Sequence, residues 1–192
     1  DDDNDGVYDD ADAFPLDAYN HIDSDDDGVG DNWDAFPEDA SQQSLLLIDA
    51  LNLIVDSSLR NCISKSSDGF ERAQQVTSVG CSAKVESLEG IQNFYNVESL
   101  NLERGVGVTS LGPLEALTQL VSLTIHNGSS ILDGDLSPLR SAFNLRILDL
   151  QEFENLETAD FESLKYLHNL QEFSPSNLKD LEMVRFFPKL RK

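Results

Sequence analysis

A short apolar unit of the form L-x-x-L-x-L recurs between residues 76 and 175 and limits the folds open to this chain. Successive units begin at Val76, Val97, Leu120, Leu145 and Leu170. The units are Val76-Val79-Cys81, Val97-Leu100-Leu102, Leu120-Leu123-Ile125, Leu145-Leu148-Leu150 and the weaker Leu170-Phe173-Pro175. A strand-length unit that recurs in this way predicts coils that stack, because one coil cannot bury its apolar face alone.

The segments between these units carry apolar residues at every third position. They are Leu88-Ile91-Phe94, Leu111-Leu114-Leu117, Leu136-Leu139-Ala142, Phe161-Leu164-Leu167 and Leu181-Val184-Phe187. One coil is therefore predicted to contain a short strand, a turn and a helical return. We expect an α/β solenoid in which short parallel strands alternate with helical returns.

The pattern resembles the leucine-rich repeat family, especially the short bacterial repeats of internalin type. The segments LGPLEALTQL and LSPLRSAFNL are similar to the convex helical side of that family. The chain departs from it where many members have Asn after the strand, since Gly105, Gly128, Phe153 and Leu178 stand there. Pro175 lacks an N–H, so we expect the fifth strand to be weak and to lie at an edge.

Side chains between the strand leucines are predicted to line the concave face of the solenoid, a surface on which such repeats commonly bind proteins. Ordinary solvated strand polarity remains the alternative for any one of them. They are Glu98, Ser99, Asn101, Glu103, Val121, Ser122, Thr124, His126, Arg146, Ile147, Asp149, Gln151, Gln171, Glu172 and Ser174.

The charge of the chain is concentrated at its start. Residues 1–40 contain sixteen Asp or Glu and no Lys or Arg, so the rest of the chain carries only −7 of the net −23 (−23 + 16). Such a balance argues against nucleic-acid binding, which needs Lys and Arg, and against adsorption to anionic membranes. No apolar run approaches the ~18 residues that span a bilayer, so no membrane insertion is expected in this segment.

The acidic region contains two copies of the pattern D-x-D-x-D-G-x-x-D-x-x-D, which begin at Asp1 and Asp23. Three carboxylates, a Gly turn, a backbone carbonyl and two further carboxylates suit Ca²⁺, which takes six to eight oxygens. Zinc would need His or Cys, and a solvated acidic linker is the alternative. We expect about two or more Ca²⁺ ions. The candidate ligands are Asp1, Asp3, Asp5, Val7, Asp9 and Asp12 in the first copy, and Asp23, Asp25, Asp27, Val29, Asp31 and Asp34 in the second.

The segments DAFPLD and DAFPED resemble thrombospondin type 3 repeats of bacterial type, which wrap irregular chain around calcium. Phe14 and Phe36 stand where many such repeats have Cys, so Phe packing is expected in place of disulfides between repeats. Asp17 and Asp39 follow each Phe-Pro pair and are either further ligands or turn caps.

A helix is predicted to end the calcium repeats and to cap the solenoid. Apolar residues at helical spacing begin at Leu47 and continue to Cys62, with Ser41 or Ser44 as the N-cap. The expected domains are residues 1–40 for the calcium repeats, 41–75 for the cap helix and loop, and 76–192 for the leucine-rich repeats.

The two cysteines, Cys62 and Cys81, lie in the cap and in the first strand unit. An extracellular setting, as the calcium repeats imply, favours a disulfide between them over two buried thiols.

No catalytic motif accompanies the three histidines, so we expect a binding protein and not an enzyme. The predicted function is a calcium-binding, secreted or cell-surface bacterial protein that presents a leucine-rich repeat domain to an unknown protein or surface ligand. The alternative is a calcium-stiffened spacer within a larger secreted protein whose activity lies elsewhere.

Overall fold

A computed structural model describes most of the chain. The described residues are 2–3, 5–16, 18, 20–26, 28–32, 34, 37–40, 45–104, 107–126, 135–150, 160–175 and 187–190.

Among the described residues, five short parallel strands form one sheet in sequence order. They are β1 (Ser78–Cys81), β2 (Ser99–Leu102), β3 (Ser122–Ile125), β4 (Ile147–Leu150) and β5 (Glu172–Pro175). Each strand pairs with the next in the register that the repeat predicts, so that Val79, Leu100, Leu123, Leu148 and Phe173 form one row. The α/β solenoid expected from the sequence is confirmed.

The returns are 3₁₀ helices rather than α-helices. They comprise Ile91–Asn93, Gly112–Leu114, Ser137–Ser141 and Asp160–Tyr166. In one coil the N–H of Leu114 donates to Leu111 at 2.8 Å, and that of Leu117 donates to Leu114 at 2.9 Å. A 3₁₀ helix has three residues per turn, so the three-residue apolar spacing keeps one face of each return on the core. The described leucines of the strands and of the returns are almost completely buried.

The four positions at which this chain lacks the Asn of the family pattern lie outside the described part of the chain. Two asparagines of the returns bond to the segment that precedes their own coil, one to the cap region and one to the preceding coil. Asn96 Nδ2 donates to the carbonyl of Gln74 at 3.1 Å, and Asn169 Nδ2 donates to that of Phe143 at 2.8 Å. These bonds satisfy backbone groups that a turn would otherwise leave without a partner.

The prediction of a single cap helix is wrong, because two helices are present. They are α1 (Leu47–Leu53) and α2 (Ser57–Ser66), and the residues between them are extended. Ile48 and Val55, two of the apolar residues at helical spacing between Leu47 and Cys62, are 62% and 69% exposed. The N-cap candidates Ser41 and Ser44 lie outside the described residues.

Asp56 explains the break between α1 and α2. Its Oδ1 accepts from the N–H groups of Ser58 and Leu59 at 2.8 and 2.9 Å, and therefore caps α2. Its Oδ2 accepts from the N–H of Glu86 at 2.8 Å, and the N–H of Val55 donates to the carbonyl of Glu89 at 3.1 Å. The extended residues thus bond to the chain beyond β1, which a continuous helix would prevent.

The fifth strand lies at one end of the described sheet, as expected from Pro175. This proline is the last residue of β5, aligned with Leu150 of β4. A proline there removes one donor at the end of the pairing and leaves the preceding pairs intact.

Candidate functional site

Three carboxylates of the first acidic repeat converge on one point. Oxygens from Asp3, Asp5 and Asp12, one from each, all lie within 4.8 Å of one another. The chain turns back between them at Gly6, whose φ of 97° is a conformation that residues with a Cβ rarely adopt. Three of the six predicted ligands of the first loop are therefore brought together.

Backbone hydrogen bonds orient these carboxylates. Asp3 Oδ1 accepts from the N–H of Asp5 at 3.1 Å, and Asp5 Oδ1 accepts from that of Val7 at 2.7 Å. Asp12 Oδ1 accepts from the N–H of Phe14 at 2.7 Å. Each side chain thus uses its Oδ1 to close a local turn, and its Oδ2 takes no part in that turn.

The remaining oxygens are shielded from water. Within the described chain, Oδ2 of Asp3 and Oδ2 of Asp12 are buried and accept no hydrogen bond from protein. The Asp5 side chain is only 6% exposed, and its Oδ2 lies 3.6 Å from Nδ1 of His21. Burying ionised carboxylates without a partner is costly, so this geometry fits an oxygen-seeking cation.

Asp9, another predicted ligand of the first loop, is not among the carboxylates that converge. Asp9 Oδ1 accepts from the N–H of Asp2 at 2.9 Å, and Asp9 is exposed. Val7 is half-buried, and Asp1 lies outside the described residues.

The second repeat reproduces two local features of the first. Gly28 has a φ of 91°, as Gly6 has a positive φ in the first copy. Asp31 Oδ1 accepts from the N–H of Ser24 at 2.8 Å, which is the counterpart of the bond between Asp9 and Asp2. Asp23 Oδ2 accepts from the N–H of Gly28 at 2.9 Å.

The remaining predicted ligands of the second loop differ in burial. Asp25 and Val29 are half-buried, and Asp34 is 9% exposed. Asp27, the counterpart of Asp5, lies outside the described part of the chain.

One packing contact between the two repeats was not anticipated from the pattern. Asn20 is 1% exposed, and a Cβ added at Gly30 would lie 2.5 Å from its Cγ. The first repeat has Tyr8 at the position of Gly30. The Gly in the second copy was the available signal that another side chain approaches there.

The outward face of the strands is polar and predominantly acidic. Burial alternates along β2, β3 and β4, so that the predicted concave residues face outward while the leucines face the core. The described residues of this face include four carboxylates, and Arg146 is the one lysine or arginine among them. The carboxylates belong to Glu98, Glu103, Asp149 and Glu172. His126 Nε2 lies 3.3 Å from Asp149 Oδ2 across β3 and β4. Gln151 lies outside the described residues.

A disulfide joins the cap to the solenoid. Cys62 in α2 and Cys81 at the end of β1 are bonded, with their Cα atoms 5.3 Å apart. Leu59 and Ile63 of α2 are fully buried, so the covalent link adds to an apolar contact between α2 and the core.

Comparison with known proteins supports the fold. No protein-family model and no curated protein matches the chain. An internalin (InlF) from Listeria monocytogenes str. 4b F2365 is similar in structure, with a TM-score of 0.54 and 22% identity over 73% of this chain and 49% of that chain. Internalin C2 (InlC2) from the same strain gives a TM-score of 0.50 and 21% identity over 73% of this chain and 74% of that chain.

The chain therefore has the leucine-rich repeat solenoid fold seen in these internalins. It spans about half the length of the InlF structure. No family model supports the resemblance of residues 1–40 to thrombospondin type 3 repeats, which stays a prediction. No helix among the described residues is long and apolar enough to cross a membrane.

Proposed function

We propose that this chain belongs to an extracellular or cell-surface protein that binds calcium through residues 1–40 and recognises another protein on its concave face. It is a binding protein and not an enzyme. The main support for calcium binding is the convergence of the carboxylates of Asp3, Asp5 and Asp12 on one point. Two of their oxygens are buried and accept no hydrogen bond within the described chain.

Calcium is the ion that these groups suit. The donors are carboxylate oxygens, and the loop repeats with the same Gly turn and the same bond between its second and ninth positions. Calcium tolerates irregular shells of six to eight oxygens, whereas magnesium requires a tighter octahedron. Asp3, Asp5 and Asp12 would hold the first ion, and Asp25, Asp27 and Asp34 would hold its counterpart. A bound ion offsets the mutual repulsion of converging carboxylates.

Calorimetric titration tests the assignment. We expect about two Ca²⁺ ions to bind the wild type. Asp5→Asn should weaken the first site at least about tenfold, since even residues that only support metal ligands have effects of about 10–100-fold. Asp25→Asn should do the same at the second site.

Asp10→Asn is the matched control, because it makes the same change of charge at an exposed residue outside the repeat pattern. Both sites should survive it. Absence of calcium-binding heat in the wild type, or equal losses in Asp5→Asn and Asp10→Asn, would contradict the loop assignment.

The acidic outward face of the strands supports the proposed recognition of another protein. Four carboxylates against one guanidinium favour a partner with a basic surface, and complementary charge accelerates association at low salt. Ile147 is an apolar, half-buried residue of this face, aligned with Ser122 and Glu172.

A pair of matched variants tests this face. Immobilised chain in calcium should retain a partner from host-cell or envelope extracts, and Ile147→Arg should lose it. Ile48→Arg introduces the same residue on α1, where Ile48 is 62% exposed, and should retain the partner. Retention by both variants would remove the concave face as the site, and no partner at all would favour the spacer alternative.

The proposed location follows from the same features. Calcium loops of this kind suit a compartment rich in calcium, and a disulfide between Cys62 and Cys81 suits an oxidising one. Both conditions hold outside the cell.

A further inference from the structure

Within the described part of the chain, three clefts lie between the acidic repeats and the return side of the solenoid. The first, of about 540 Å³, has carboxylates of the first repeat on one side and the third and fourth coils on the other. Its lining includes Asp3, Asp5 and Leu16, opposite Arg140, Phe143 and Tyr166.

The other two clefts continue this contact toward the cap. One of about 420 Å³ lies between Ala13 and Leu16 on one side and Gln119 and Phe143 on the other. One of about 170 Å³ lies between the repeats at Phe14 and Gly30 and the solenoid at Tyr95 and Gln119. The acidic segment therefore runs back along the solenoid and does not project away from it, in contrast to the spacer alternative.

The surfaces that face each other are complementary. Leu16 is 61% exposed and Phe143 is 39% exposed, and both line the two larger clefts. Closing these clefts would remove both side chains from water. Arg140 is the cationic side chain among the described residues that line the first cleft, which it shares with Asp3 and Asp5.

We propose that calcium in the first loop holds the acidic repeats against the return side of the solenoid, an inference that rests on the calcium binding proposed above. Asp12 is a ligand of the proposed ion, and Leu16 lies one short turn of chain beyond it. Ordering the loop therefore fixes where Leu16 lies relative to Phe143. Without the ion, Asp3, Asp5 and Asp12 repel one another within 4.8 Å, so the loop opens and the apolar contact is lost.

Chemical cross-linking measures this contact directly. Ala13 and Asn144 are exposed and line the same cleft, so cysteines placed there report its closure without removing Leu16 or Phe143. The native cysteines are bonded to each other. In the Ala13→Cys/Asn144→Cys chain, a short bismaleimide should cross-link at least about tenfold faster in calcium than in chelator, because docking raises the effective concentration of the pair.

Two controls isolate the contact. In Tyr8→Cys/Asn144→Cys the first cysteine replaces a residue that is 75% exposed and lines none of the three clefts, so cross-linking should stay slow in both conditions. Adding Phe143→Ser to the reporter pair should slow cross-linking in calcium while calorimetry still detects an ion at the second loop.

The outcomes separate this inference from the calcium proposal. Calcium binding with equal cross-linking in calcium and chelator overturns the docking alone. No calcium binding overturns both. Small-angle scattering of the wild type provides a measurement free of substitutions: the radius of gyration should rise on chelation, and an unchanged value overturns the docking.

Discussion

Gly90→Ala is expected to lower the free energy of unfolding by about 2–5 kcal/mol, the sum of a conformational cost and an overpacking cost. Gly90 has a φ of 97° and precedes the return Ile91–Asn93. A left-handed conformation costs a residue with a Cβ about 1–2 kcal/mol. The added Cβ would also lie 2.3 Å from the carbonyl oxygen of Leu53, and such overpacking costs about 1–3 kcal/mol.

The backbone at Gly90 has little freedom to relieve this overlap. Its N–H donates to Gln92 Oε1 at 2.8 Å, and its carbonyl accepts from Asn93 Nδ2 at 2.9 Å. Glu89 is held by the N–H of Val55. The close approach is therefore part of how the cap joins the first coil.

Gly80→Ala is the matched control. Gly80 lies in β1, and a Cβ there would meet no atom within 4 Å. Replacing such a glycine restricts the unfolded chain and changes stability by less than about 1 kcal/mol, toward greater stability. Urea unfolding of the two variants measures the difference, and equal midpoints would contradict the proposed clash.

Loss of the Cys62–Cys81 disulfide is the other large effect that we expect. The bond closes a loop between cysteines whose sequence separation is 19. Opening a loop of this length lowers the free energy of unfolding by about 3 kcal/mol. For a chain of this size, that corresponds to a fall of about 6–12 °C in Tm.

Redox conditions provide the control for this prediction. Dithiothreitol should lower the Tm of the wild type toward that of Cys62→Ala/Cys81→Ala and leave the double variant unchanged. A wild-type Tm that is insensitive to dithiothreitol would mean that the cysteines are reduced thiols.

The solenoid was predictable because its signal is local and repeated. The spacing of Val79, Leu100, Leu123 and Leu148 defines both the strands and their register. The three-residue apolar spacing also matches the 3₁₀ geometry of the returns, for which the sequence predicted only a helix of unspecified type. The apolar spacing did not predict the break between α1 and α2. That break depends on the hydrogen bond from the N–H of Glu86 to Asp56, and these residues are far apart in the sequence.

The acidic repeats likewise combine features that the sequence predicts with features that it does not. Their Gly turns and the convergence of Asp3, Asp5 and Asp12 follow from the spacing of residues within one loop. The burial of Asn20 against Gly30 and the clefts beside Phe143 depend on contacts between distant segments. Their binding of calcium stays a prediction.

The pairing of the strands has a consequence for how such a chain can change. Each short strand aligns with the next without a bulge, although the coil that starts at Val76 is shorter than those that start at Leu120 and Leu145. All variation in length is thus confined to the connections and never shifts the strand register. Duplication or loss of a whole coil would lengthen or shorten the outward strand face by about 4.8 Å and leave the alternation of every other strand unchanged. The architecture can therefore adjust the reach of its surface in discrete steps without redesigning the core.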